Sequence, residues 1–177
     1  MEIPNTQRKL REAQYFYRRL AGIGLSPGNA SEEFWFELSA FLSAARSITF
    51  VLQSESKEAY EGWFSSWRNG LETEEQELLQ SMNDHRVAEV HRTGVAMTHE
   101  LKDIPVTQLR NRDTRHPAYG VYWFGPPGTP EPLMGIVEYF FQLGNTPASV
   151  VETCGRFLRL LQKAVADFVV TASSNSA

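Results

Sequence analysis

One cysteine, Cys154, is all the chain has among 177 residues, which excludes an intrachain disulfide and a four-thiolate metal site. Histidine is also sparse, with four in all, and no His-Glu-x-x-His pattern occurs. His85 and His91 are six residues apart, about 240° around a helix, so one helix does not turn both toward a single metal. No metal and no cofactor is expected. Positive charge is not in excess: 17 Lys and Arg stand against 21 Asp and Glu, giving a formal charge of −4 and a pI near 5.6. General attraction for nucleic acid or anionic lipid is thereby excluded, and any polyanion must be held by a local patch. No run approaches the roughly 18 apolar residues of a membrane span. The first residues are charged from Glu2 onward and lack the apolar stretch of a secretory signal. The expectation is a cytoplasmic protein without membrane contact. Gly-x-Ser-x-Gly is missing, and Gly125-Pro126-Pro127-Gly128 lacks the Lys-Ser/Thr ending of a phosphate loop.

What the chain does have is aromatic residues: four Trp, six Tyr and eleven Phe, within an ordinary 42% hydrophobic and 21% charged composition. Neither an internal repeat nor a low-complexity linker interrupts it, so residues 1–177 read as one domain. Its organising stretch is Ser31 to Gln53. There Phe34, Leu38, Phe41, Ala45, Ile48 and Leu52 recur at alternating steps of four and three and form one stripe of a long helix. Trp35, Leu42 and Val51 widen that stripe, so other helices must surround it. Pro27-Gly28, a cap at Asn29 or Ser31, and Glu32 and Glu33 at the positive end of the macrodipole mark its start.

Ahead of it, Thr6 to Ala21 reads as an amphipathic helix with a basic outer face of Arg8, Lys9, Arg11, Arg18 and Arg19. After it, Glu58 to Asn69 is a short aromatic helix carrying Tyr60, Trp63, Phe64 and Trp67. Thr73-Glu74-Glu75-Gln76 matches a capping box and opens a fourth helix running to about Arg92. Between Val95 and Gln142 lie six of the nine prolines and two β-prone runs, Gly120 to Phe124 and Gly135 to Phe141, readable as a hairpin. The polar stretch Pro105 to Pro117 between helix and hairpin is a loop or a further edge strand. Thr146-Pro147, a cap followed by proline at the first helical position, opens a last helix through Val151, Cys154, Leu158, Leu161, Val165 and Phe168. The expected fold is therefore mainly α, a bundle of four or five helices, with a small β-hairpin insertion at residues 95–142 before the last helix.

Chemistry centres on Asp84-His85-Arg86-Val87-Ala88-Glu89-Val90-His91-Arg92. An arginine followed at x4–6 by histidine occurs three times, as Arg86/His91, Arg92/His99 and Arg110/His116, but only the first pair falls inside a predicted helix. Arg86 and His91 are five apart, about 140° net around a helix, so one copy does not aim both at one point. A two-fold dimer that sets two such helices side by side gathers two arginines and two histidines in one cleft. Guanidinium forks match phosphate oxygens, and an imidazole exchanges protons near neutral pH. Those are the needs of metal-free RNA cleavage, in which a base helps the ribose 2′-OH attack the adjacent phosphate. The bland alternative is that Arg86 pairs with a carboxylate and His91 is a polar residue near a helix C-terminus, where a cation is favoured.

Arg86-x4-His91 on a late helix, preceded by a long helix carrying Ser39-Ala40-Phe41-Leu42-Ser43-Ala44-Ala45-Arg46, resembles the HEPN superfamily (higher eukaryotes and prokaryotes nucleotide-binding). The resemblance covers roughly Thr6 to Gly94 and the last helix. It implies a helical-bundle homodimer that binds RNA or a nucleotide, with metal-independent endoribonuclease activity of toxin or defence type in its catalytic members. His91 would be the acid/base and Arg86 the phosphate ligand, with Asp84, Glu89 and Arg92 supporting or binding substrate. An antitoxin or nucleotidyltransferase partner is implied too. Val87 departs from the polar residue usual after the arginine in catalytic members. Outside the motif, Arg46 belongs either to the same cleft or to an ion pair with Glu37 or a fourth-helix carboxylate. The alternative function is a non-catalytic helical dimerisation or interaction module.

Overall fold

The computed structural model describes residues 2–23, 30–91, 96–105, 122–123, 133–143 and 146–174. Five helices occur among them: α1 (Pro4–Ile23), α2 (Ala30–Glu55), α3 (Lys57–Asn69), α4 (Thr73–His91) and α5 (Val150–Ser174). Strands β1 (Met97–Pro105), β2 (Tyr122–Trp123), β3 (Leu133–Leu143) and β4 (Thr146–Ser149) form a small antiparallel sheet before the last helix. The chain is thus mainly helical with a small sheet inserted before α5, as its periodicities imply.

The stripe of α2 is the core. Phe34, Leu38, Phe41, Ala45 and Ile48 are fully buried, and Leu52 nearly so. Burying side chains of this size stabilises the fold by about 1.5–3 kcal/mol each relative to exposure. Ala13 and Leu20 of α1 meet them from one side, and Cys154, Leu158, Leu161 and Phe168 of α5 from another. The small aromatic helix α3 closes a further side. Trp63 meets Phe168 edge-on at 5.2 Å, and Trp67 donates its indole N–H to Asp167 at 3.1 Å. Complete burial raises the Cys154 thiol pKa, so it stays protonated and serves as a small core residue.

By length and apolar composition alone, Glu32–Glu55 of α2 is long enough to cross a membrane, which corrects the expectation that no such run exists. The buried stripe accounts for that apolarity, because a central bundle helix has neighbours on most sides.

Several details differ from the sequence expectation. The capping box is shifted by one residue. Glu72 is the N-cap, its carbonyl accepting from Gln76 N–H, and its own N–H donates to the Glu75 carboxylate at 3.3 Å. The Gln76 amide instead donates to the Leu71 carbonyl. Thr146-Pro147 does not open the last helix, since both residues sit in β4 and α5 starts at Val150. Proline is tolerated in β4 because, among the described residues, this strand pairs on one side only, with β3. Met97–Pro105, which the sequence did not mark as a strand, pairs with β3 from Met97↔Phe141 to Pro105↔Leu133, while the stretch read as a loop or edge strand lies, beyond Pro105, outside the described residues. The expected hairpin is present as Tyr122↔Met134 and Trp123↔Leu133. Residues 24–29, 92–95, 106–121, 124–132 and 144–145 lie outside the described residues, and with them the breaker motifs, Arg92 and His116.

The start of α1 is held from a distance. Ile3 is the N-cap, its carbonyl accepting from Gln7 N–H, and Pro4 takes the first helical position. Isoleucine has no side chain to satisfy the orphan amides, so Glu55 at the far end of α2 does it. Its carboxylate accepts from Asn5 N–H at 2.8 Å, Thr6 N–H at 2.7 Å and Thr6 Oγ at 2.6 Å. Burial by itself would raise the Glu55 pKa. The bonds from Thr6 and Asn5 outweigh it, and the net shift is downward. On the α5 side, Gly155 lets α1 come close: a Cβ there would fall 2.5 Å from the Tyr17 hydroxyl oxygen and 3.0 Å from its Cζ.

Two outcomes are expected. Glu55→Gln lowers stability by about 1–3 kcal/mol at neutral pH, because a charge-assisted cap to three donors is weakened. A carboxylate lowered by folding stabilises above its unfolded pKa and loses this as pH falls through the folded one. The gap between wild type and Glu55→Gln in urea melts therefore narrows as pH falls below about 4.5. Gly155→Ala costs about 1–3 kcal/mol by overpacking. It costs less in a Tyr17→Ala background, as a double-mutant cycle of melts will register.

Candidate functional site

The fourth helix forms because its apolar positions Leu78, Leu79 and Met82 return to one side, with Glu74 and Glu75 favouring its N-terminus. Two ion pairs tie it to α5, Lys163 to Glu75 at 3.0 Å and Arg156 to Glu74 at 3.5 Å. Its C-terminal half carries the candidate residues. Met82 is buried beneath α2, and one turn on His85 is 8% exposed. The imidazole stacks on the fully buried Phe141 ring of β3, with centroids 4.1 Å apart and planes 17° from parallel. Two residues earlier on the same face of β3, Tyr139 stacks on Phe34 of α2 at 3.9 Å. This strand therefore seats the sheet against both α2 and α4.

Asp84 is exposed and accepts from the Gln80 amide at 3.0 Å, which spends one of its oxygens within the helix. Arg86 is half-buried. Its Nε is buried and has no hydrogen-bond partner, and no carboxylate pairs with its guanidinium among the described residues. Val87 is exposed. His91 is the last residue of α4, so backbone places it one and a half turns beyond Arg86. The side chains of Glu89 and His91 and the whole of Arg92 lie outside what the structure describes. The structure therefore brings His85 and Arg86 together at the boundary between core and surface, and positions Arg86 and His91 along one helix.

Arg46 does not pair with Glu37, which corrects the first of the partners considered for it. Glu37 is claimed by Arg19 of α1, whose Nε donates to its Oε1, while Glu33 approaches the same guanidinium at 3.6 Å. No fourth-helix carboxylate takes its place among the described residues. The Arg46 guanidinium lies 4.5 Å over the Phe50 ring instead. Arg46 also lines a cavity of about 20 Å³ with Leu42, Thr49, Met82 and Asn83 between α2 and α4. That volume holds about one water molecule and no nucleotide. Nearby, burial pushes the Tyr60 hydroxyl up to about 12, against the opposing effects of Arg46 and Thr49. Among the described residues no group of three His, Cys, Asp or Glu could hold a metal ion.

The residue the sequence reading undervalued is His85. Leu78, Met82 and His85 step by four and three, the same signal that marked every other buried face, and it places this histidine inward. Burial lowers its pKa, opposed by the nearby Asp84 carboxylate. Its Nε2 is buried without a hydrogen-bond partner among the described residues. At neutral pH the ring is an uncharged aromatic plate against Phe141.

Compared with protein-family models, with curated proteins and with solved structures, the chain matches none.

A histidine held neutral by folding stabilises above its unfolded pKa, and that contribution is lost as pH falls through the folded value. The melting temperature is expected to fall between about pH 7 and pH 5 by an amount that shrinks in His85→Phe, which keeps the stack on Phe141. Thermal melts across that range check it, and an unchanged slope would remove His85 as its source.

Proposed function

We propose that the C-terminal half of α4 binds a phosphate group of RNA or of a nucleotide through Arg86, as the HEPN resemblance implies. One observation carries the reading: the guanidinium is half-buried with its Nε enclosed and unpartnered. Leaving a buried donor without an acceptor costs about 1–3 kcal/mol, and more when the group is charged. A phosphate oxygen supplies the missing acceptor and the missing charge together, and guanidinium is the cation that matches it best. His85 adds no second positive charge, because it stays neutral against Phe141. It is also enclosed, so the proton exchange with a ribose hydroxyl falls to His91 in this reading. A metal-free cleavage would then use His91 as acid/base and Arg86 on the phosphate, with Asp84, Glu89 and Arg92 nearby along the chain. Two copies side by side would double that charge within one cleft, on a chain whose formal charge is −4. The antitoxin or nucleotidyltransferase partner belongs to the same proposal.

A second reading, a non-catalytic dimerisation module, is favoured by the exposed Phe36 and Phe50 on α2.

The test is incubation of a mixed-sequence RNA in EDTA with the wild-type chain, Arg86→Ala and His91→Ala, each checked for folding by circular dichroism. Cleavage lost by about a hundredfold or more in both variants supports the nuclease. Binding without cleavage, weakened about tenfold in Arg86→Ala and steeply by salt, supports phosphate recognition alone. Binding that survives Arg86→Ala unchanged overturns the reading.

A further inference from the structure

The outer side of α2 carries a pattern that the core does not explain. Phe36, Ala40, Ser43, Ser47, Phe50 and Ser54 follow one another at steps of four, three, four, three and four. This is the spacing of a helix-to-helix seam, and no member of it is charged. Phe36 is 64% exposed and Phe50 54%. Single exposed apolar side chains are ordinary on protein surfaces. Here two phenylalanines bracket a stretch of only alanine and serine, with the Arg46 guanidinium lying over the Phe50 ring at one end. The Ser47 hydroxyl already donates to the Ser43 carbonyl at 2.8 Å, so covering it strands no hydroxyl proton.

Reading the stripe from either end gives nearly the same series. Ser43 lies seven residues after Phe36 and seven before Phe50, and Ala40 and Ser47 flank it at three and four. A surface that repeats itself under reversal is what an isologous two-fold contact requires. We propose that a second copy of this chain packs antiparallel on this face, with the two-fold axis at Ser43. Phe36 of each copy then meets Phe50 of the other, across small residues that allow an axis separation of about 8 Å. The charges agree. Exposed Glu32 lies one turn before Phe36, and exposed Lys57 lies just beyond the other end of α2. Antiparallel packing brings each toward its opposite. The stripe is about 21 Å long and one helix wide, at the small end of specific interfaces. The association is therefore reversible and concentration-dependent. It deepens the dimer reading and does not depend on phosphate binding by Arg86.

Sedimentation equilibrium of the full chain from about 1 to 200 μM, a range suited to interfaces of this size, should show the mass rising from 20.1 kDa toward twice that value. Phe36→Arg and Phe50→Arg should each weaken the rise at least about tenfold. Phe36→Arg should leave the melting temperature in place, because that side chain is exposed, whereas Phe50→Arg also removes the ring beneath the Arg46 guanidinium and should lower it slightly. Mild oxidation of Ser43→Cys should give a covalent dimer, with the buried Cys154 remaining unlinked. Phe36→Cys alone should not link, since its two copies sit about 21 Å apart along the axis, whereas Phe36→Cys mixed with Phe50→Cys should. A chain monomeric throughout overturns both the face and the dimer reading. A dimer insensitive to both arginine substitutions overturns the face but keeps the dimer. Self-linking by Phe36→Cys overturns the antiparallel arrangement. Capture of a monomeric chain on anionic vesicles assigns the stripe to lipid and overturns the proposal.

Discussion

Burial of one side of α2 is the constraint on which the other elements depend. Phe34, Leu38, Phe41, Ile48 and Leu52 need apolar neighbours along a helix of 26 residues, and no single helix can cover more than one flank of it. Antiparallel α1 covers one flank, α5 and α4 the others, and the sheet reaches the first turns through the Phe34–Tyr139 stack. The polar contacts follow from that arrangement. Because α1 runs antiparallel to α2, its unsatisfied amides arrive beside Glu55, and Arg19 arrives beside Glu37. One apolar stripe thus dictates where the charged groups can meet.

The helices were legible because their apolar residues repeat within a few turns, and steps of three and four carry that information locally. α1, α2 and α3 come within two or three residues of the boundaries read from sequence. The sheet was only partly legible. Met97 to Pro105 contains Thr, His, Glu, Lys and Asp, and its extended form comes from pairing with β3 some thirty residues away. Pro147 misled for a related reason, since proline suits the first turn of a helix and an edge strand alike. The shifted cap at Glu72 is a contest between two overlapping Glu/Gln patterns that only geometry decides.

At the candidate site, the helix carrying Arg86 was legible and its surroundings were not. Charge and exposure of a side chain depend on which element lies opposite, and Phe141 comes from a distant strand. That ring is what encloses His85, keeps it neutral and leaves Arg86 at the edge of the interior. Arg46 shows the same limit: its partner is an aromatic ring one turn along its own helix, with Glu37 drawn away by α1.

Strand β4 passes into α5 with no intervening residue, Ser149 ending one and Val150 beginning the other. Strand register and helix rotation are therefore geared together. Moving β4 by one residue along β3 would turn its side chains over and rotate the buried face of α5 by about 100°. One residue inserted between 149 and 150 would uncouple the two, turning Cys154, Leu158 and Leu161 away from the core. α5 thus inherits its orientation from four residues of backbone pairing.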